Sequence, residues 1–201
     1  DLYSKRFKNI ENLTLVLNSR AEWRKYSIDG HKKYVEYQEQ LRKNLGPKSP
    51  AIYNGMAWEI YQRIRLGLSK DKKSDIKKLV EYAKADVAAY KDASAYALRA
   101  LVEFRYGSKD CEKTKSFVKK AIDAGGSVDT FTIAGSIYQR CGDVKSAISS
   151  YKSALQLAPN DNGLFITKSL IVGLYQNNDL DSIERIIIPK LNIKDIDPVI
   201  L

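Results

Sequence analysis

Histidine occurs once in these 201 residues, methionine once, cysteine twice and proline five times. Each scarcity closes off a class of chemistry. The single histidine, His31, lies in the basic stretch His31-Lys32-Lys33 and reads as a surface residue. No His-based metal site, catalytic triad or acid–base pair can be assembled around it. The cysteines, Cys111 and Cys141, are too few for a disulfide-rich scaffold, and their spacing is not that of a zinc or redox motif. No apolar run approaches the roughly 20 residues that span a bilayer. Only Ile186-Ile187-Ile188 comes near, and Pro189 ends it. There is no glycine-rich phosphate loop either, since Gly125-Gly126 lies between helical patterns and reads as a helix stop. The expectation is a protein with no catalytic residues, no metal and no cofactor.

What is present is ordinary globular material. Hydrophobic residues at 44% and charged residues at 29% exclude a disordered chain, and the length suits one domain or a short repeat array. The chain starts at Asp1 rather than Met, which suggests a processed form or an excised piece, with any signal peptide or further domain lying upstream. The formal charge of +10 raises the question of an anionic partner. It leans toward the first half, in Lys5-Arg6-Phe7-Lys8, His31-Lys32-Lys33 and Lys70-Asp71-Lys72-Lys73, whereas residues 162–201 are nearly balanced. Acids interrupt each basic cluster, so solvated helix faces account for the pattern.

Periodicity is clearest from Val128 to Asp161, VDTFTIAGSIYQRCGDVKSAISSYKSALQLAPND. Phe131, Ala134, Ile137 and Tyr138 form one helical stripe. Gly142 can take the left-handed conformation that closes a helix, and Asp143 is a good N-cap for the next. There Ala147, Ile148, Tyr151, Ala154 and Leu155 recur at helical spacing until Ala158-Pro159-Asn160-Asp161 stops the pattern.

This segment resembles a tetratricopeptide repeat. Phe131, Ala134, Gly135, Tyr138, Gly142, Ala147, Tyr151, Ala154 and Pro159 stand where that family needs bulky, small and aromatic residues, glycine and proline. Phe131 replaces the usual Trp and Ala134 the usual Leu. One such repeat cannot bury its own faces, so neighbours are expected. Residues 94–127 repeat the layout with weaker residues, Asp110 capping as Asp143 does. Residues 51–93 form a hairpin with a longer connector, around Tyr53, Ala57, Trp58, Ile60 and Tyr61. Residues 162–191 supply a last pair, with Phe165, Leu170, Leu174 and Tyr175 in its first helix. The expected fold is therefore all-α: a right-handed superhelical stack of about four helical hairpins over residues 51–191. Before it, residues 1–50 should form a capping segment with one helix, Tyr34–Leu45; Leu13–Leu17 suits either a strand or a helical turn. After it, the tail 192–201 should pack across the last hairpin.

The resemblance implies a non-enzymatic scaffold that binds a protein or peptide partner in a concave groove lined by first helices. Its groove places fall on Asn54, Trp58, Arg99, Glu103, Thr132, Ser136, Gln139 and Gln176. Trp58 is either an exposed hot spot or packed inside its hairpin. The lysine and asparagine set with which some relatives clamp a C-terminal carboxylate is missing. Two other readings stand beside the scaffold: binding of an anionic polymer such as nucleic acid, or an anionic surface, through the basic N-terminal half; and a regulatory or assembly segment of a larger protein. Cys111 and Cys141 could be bridged in an oxidising compartment or remain two thiols in a reducing one. Neighbouring helices lie about 10 Å apart, whereas bridged Cα atoms lie about 4.4–6.8 Å apart, so a bridge requires the turn at Cys141 to lean back. The missing start residue and even cysteine count tilt the location toward an exported, periplasmic setting.

Overall fold

The computed structural model describes residues 6–7, 9–159 and 165–188, and the tail expected to pack across the last hairpin lies outside them. Among the described residues there are ten α-helices and no strand. They are α1 (Ile10–Arg24), α2 (Ile28–Leu45), α3 (Tyr53–Arg65), α4 (Lys72–Ala89), α5 (Ala93–Tyr106), α6 (Cys111–Asp123), α7 (Val128–Arg140), α8 (Val144–Leu157), α9 (Phe165–Gln176) and α10 (Leu180–Ile187). The chain is an all-α helical repeat stack divided into two compact units, Asp1–Gly125 and Gly126–Leu201.

Caps explain most of the boundaries. Asn9, Ser27, Asp71, Asp92, Asp110, Ser127, Asp143 and Asp179 each take N-cap position and accept a backbone N–H from the first turn, satisfying donors that have no partner within the helix. Helix α3 is entered instead through a 3-10 turn at Pro50–Ile52, where the missing proline N–H costs nothing. Every hairpin turn contains a left-handed residue: Tyr26, Gly67, Lys109, Gly142 and Asn178. Only two of these are glycine. Asn tolerates that conformation, whereas Tyr26 and Lys109 carry its strain.

In the first unit α1 packs on α2, α3 on α4 and α5 on α6, and α2 on α3 and α4 on α5 join the pairs. Residues 1–50 thus hold two helices where one was expected. Helix α1 is almost without amphipathic signal because two of its three buried residues are polar: Asn12 accepts from Asn44, and Ser19 from Gln38, on either side of Val16. His31, expected at the surface, is buried as well, its Nδ1 2.9 Å from Gln62 Oε1, while Gln62 donates to the Trp23 carbonyl.

Arg6, which precedes α1, is buried. Its guanidinium donates to Asp86 Oδ1 at 2.7 Å and to both carboxylate oxygens of Asp92 at 2.7 and 2.8 Å, and it lies over the Tyr90 ring. Asn54 of α3 donates to the other Asp86 oxygen at 2.6 Å. Asp86 lies in the last turn of α4 and Asp92 caps α5, so this cluster joins Arg6 to three helices.

In the second unit α7 packs on α8 and α9 on α10, with α8 and α7 both against α9. Its core gathers Ala147, Ile148, Tyr151, Ala154, Ile166, Leu170 and Leu174, with Phe131, Tyr138, Ile183 and Ile186 packed around them. The α7–α8 approach depends on Gly135, because a Cβ there would lie 2.5 Å from the Tyr151 ring. Gly135→Ala is therefore expected to destabilise the protein by about 1–3 kcal/mol through overpacking, although alanine is the better helix former. Urea unfolding monitored by circular dichroism measures this, and a stabilised variant would refute the close-approach argument.

Candidate functional site

The first helices of successive hairpins lie side by side within each unit, α3 beside α5 and α7 beside α9. Their non-core side chains are the surface on which the family resemblance would put a groove. The structure treats the eight residues differently.

In the first unit α5 is buried over most of its circumference, nine of its fourteen residues from Ala93 to Glu103. Arg99 and Glu103 therefore do not line an open face. Arg99 is 8% exposed and Glu103 4%. Arg99 lies over the Phe117 ring of α6 and donates to Glu103 Oε2 at 2.5 Å. The other Glu103 oxygen accepts from Ser108 Oγ and N and from Lys113 Nζ at 2.7 Å. Burial by itself would raise the Glu103 carboxyl, but the bonds from Lys113 and Ser108 and the Arg99 charge outweigh it and hold it at about 2. This carboxylate closes the α5–α6 hairpin. Asn54 is likewise engaged with Asp86, and Ser94 Oγ lies 3.5 Å from its Oδ1. Trp58 is half-buried, edge-on to Trp23 of α1 at 5.0 Å and to Tyr61 at 5.5 Å. It takes part in an aromatic cluster on the first helices.

In the second unit the expected residues stay nearer the surface. Thr132 and Ser136 are half-buried, Thr132 donating to its own helix at the Val128 carbonyl. Gln139 donates to Gln176 Oε1 at 2.9 Å and accepts from Tyr151 Oη at 3.2 Å, which brings the two glutamines together.

On spacing alone Phe165 and Tyr175 group with the core leucines of α9, and here the structure differs. Leu170 and Leu174 are buried, but Phe165 is 62% exposed, Val172 49% and Tyr175 71%. Helical geometry separates the two sets: residues 165, 172 and 175 form one stripe and residues 166, 170 and 174 another. Buried Ala134 and Ile137 on α7 correspond to Leu170 and Gly173 on α9. Val172 and Tyr175 thus hold on α9 the places that Ser136 and Gln139 hold on α7. On α9 the apolar Phe165, Val172 and Tyr175 share their stripe with exposed Lys168, whereas the corresponding places on α7 are polar.

Other chemistry is sparse. Among the described residues no group of three or more His, Cys, Asp or Glu side chains gathers where it could hold a metal, and no helix is long and apolar enough to cross a membrane. A shallow depression on another side of the second unit, lined by Lys152, Leu155, Gln156, Pro159, Thr167, Arg185 and Ile186, gathers no acid–base pair. Neither cysteine is a free thiol.

The fold places the chain among all-α helical repeat proteins. No protein-family model and no curated protein matches it. Among solved structures, a thermophilic TPR protein of Thermus thermophilus is similar, with 16% identity and a TM-score of 0.49 over 78% of this chain and 99% of that one.

The folded-state pKa of Glu103 lies below its ordinary value of 4.5. Its contribution to stability is therefore complete above that value and is lost as the pH falls toward about 2. Glu103→Ala should cost about 2–3 kcal/mol at neutral pH by leaving Arg99 buried without its partner. Across the acid window the variant should lose less stability than the parent, which unfolding series at stepped pH would read out.

Proposed function

We propose that the chain is a non-enzymatic interaction scaffold that binds a partner protein or peptide along the first helices of its hairpins, chiefly on the α7–α9 face. The observation that carries this reading is the exposed stripe of Phe165, Val172 and Tyr175 beside the polar stripe of Thr132, Ser136 and Gln139. Large apolar side chains left in solvent on one helix face mark a contact surface. A polar neighbour supplies hydrogen-bonding groups for an extended backbone. In the first unit Trp58 is the remaining groove candidate, since Asn54, Arg99 and Glu103 are engaged in internal bonds. The same face would serve a segment of a larger assembly protein in the same way.

Substituting Val172→Asp with Tyr175→Asp leaves the core untouched. A partner captured from source-cell extract and then purified should bind this variant at least about thirtyfold more weakly, the loss of one hot spot. Leu157→Asp, at another exposed apolar position, should bind as the parent does. Equal affinity for both variants would sink the α7–α9 assignment.

We also propose that Cys111 and Cys141 are held in disulfide linkage in the native protein, which suits an oxidising, exported setting. Thiol titration of the unreduced protein should then find none, and titration after reduction in denaturant should find two. Any thiol that titrates in the native, unreduced protein removes this support for export.

A further inference from the structure

The positive charge is not distributed between the units. Residues 1–125 hold 27 Lys and Arg against 16 Asp and Glu, whereas residues 126–201 hold 7 against 8. The whole excess therefore belongs to the first unit.

Within it, α4 stands apart. Its sequence, KKSDIKKLVEYAKADVAA, interleaves lysines with acids and so looks self-neutralising. The structure removes two of those acids from its surface. Asp75 is buried and receives two bonds from Arg63 of α3, with a third from Ser69. Asp86 is buried against Arg6 and Asn54. Glu81 is left as the one exposed acid on α4, against exposed Lys72, Lys73, Lys77, Lys78 and Lys84. Among the described residues the ion pairs of the buried acids go to Arg6 and Arg63, and of the five lysines only Lys78 is close enough to help hold the Asp75 carboxyl below its ordinary range. Lys73, Lys77 and Lys84 fall within about 40° of one another around the helix, on a solvent stripe about 17 Å long.

We infer that the solvent face of α4 is an electrostatic docking surface for an anionic lipid bilayer. Three observations select this partner. The outward positions of α4 carry no large apolar side chain to act as an anchor for a protein interface. They carry no aromatic platform for nucleic-acid bases, because Tyr82 stacks on Tyr53 of its own hairpin. The exposed cations of α4 are all lysines, point charges on flexible stems, while Arg6 and Arg63, whose planar forks could grip single phosphates in pairs, are used internally. A row of mobile point charges along an exposed helix stripe suits a flat, deformable anionic surface, where every lysine reaches headgroups without a shaped pocket. The apolar side of α4 is occupied by its own hairpin, so attachment is peripheral and without insertion. This inference concerns a different face from α7–α9 and stands apart from the partner-binding reading.

The test is co-sedimentation of the whole chain with phosphatidylcholine vesicles and with vesicles of equal parts phosphatidylcholine and phosphatidylserine. The protein should bind only the anionic vesicles and leave them as salt is raised. Lys73→Gln with Lys77→Gln and Lys84→Gln should weaken that binding by about a hundredfold, about fivefold for each charge removed near the surface. Lys145→Gln with Lys152→Gln and Lys168→Gln makes the same net change in the second unit and should leave binding within about threefold of the parent. Circular dichroism confirms that both triple variants are folded. Equal binding to neutral vesicles, an undiminished first variant, or equal losses in both variants would overturn the inference. So would displacement from vesicles by duplex DNA at matched phosphate concentration, which would assign the lysine face to nucleic acid.

Discussion

A helical hairpin of the size used here has more apolar surface than its two helices can cover for one another, and that deficit organises the structure. Each hairpin must offer its uncovered side to a neighbour. Where neighbours are present on several sides, as at α5, burial becomes nearly complete and even Arg99 and Glu103 are drawn inside. Where the cover is less complete, as at α9, a second apolar stripe remains in solvent. The same rule thus produces both the closed centre of the first unit and the open face of the second.

Burial on that scale also decides the fate of charge. A carboxylate taken from water must find a cation and further donors, or it carries a large penalty. Asp86 finds Arg6 and Asn54, Asp75 finds Arg63 and Ser69, and Glu103 finds Arg99, Ser108 and Lys113. The first of these clusters joins segments that are neighbours in space and far apart in the chain. Withdrawing the acids inward changes the surface as well, since the exposed lysines of α4 then outnumber its one exposed acid, Glu81.

Residues 128–161 are the most legible part because local signals agree there. Asp143 caps α8, Gly142 is left-handed, and Gly135 lies against Tyr151 as the small-against-aromatic spacing requires. Legibility fails where a local signal is absent or shared by two outcomes. Helix α1 buries Asn12 and Ser19 and so carries little apolar stripe to read. Tyr26 and Lys109 close turns in a conformation that their identities do not announce. In α9 both apolar stripes have helical spacing, and only packing says which of them reaches the core.

The groove residues divide along the same line. Gln139 and Gln176 meet as neighbouring first helices should, whereas Arg99, at an equally exposed place in the repeat pattern, is covered by Phe117. Capping and periodicity act over a few residues, so local sequence suffices to set where most helices start, which small residues permit close approach, and that hairpins must stack. Which polar side chains face solvent is a different matter, settled in the packed molecule. That choice is made by partners such as Arg6 and Asp86, 80 residues apart, whose pairing no local pattern encodes and whose burial only packing can impose.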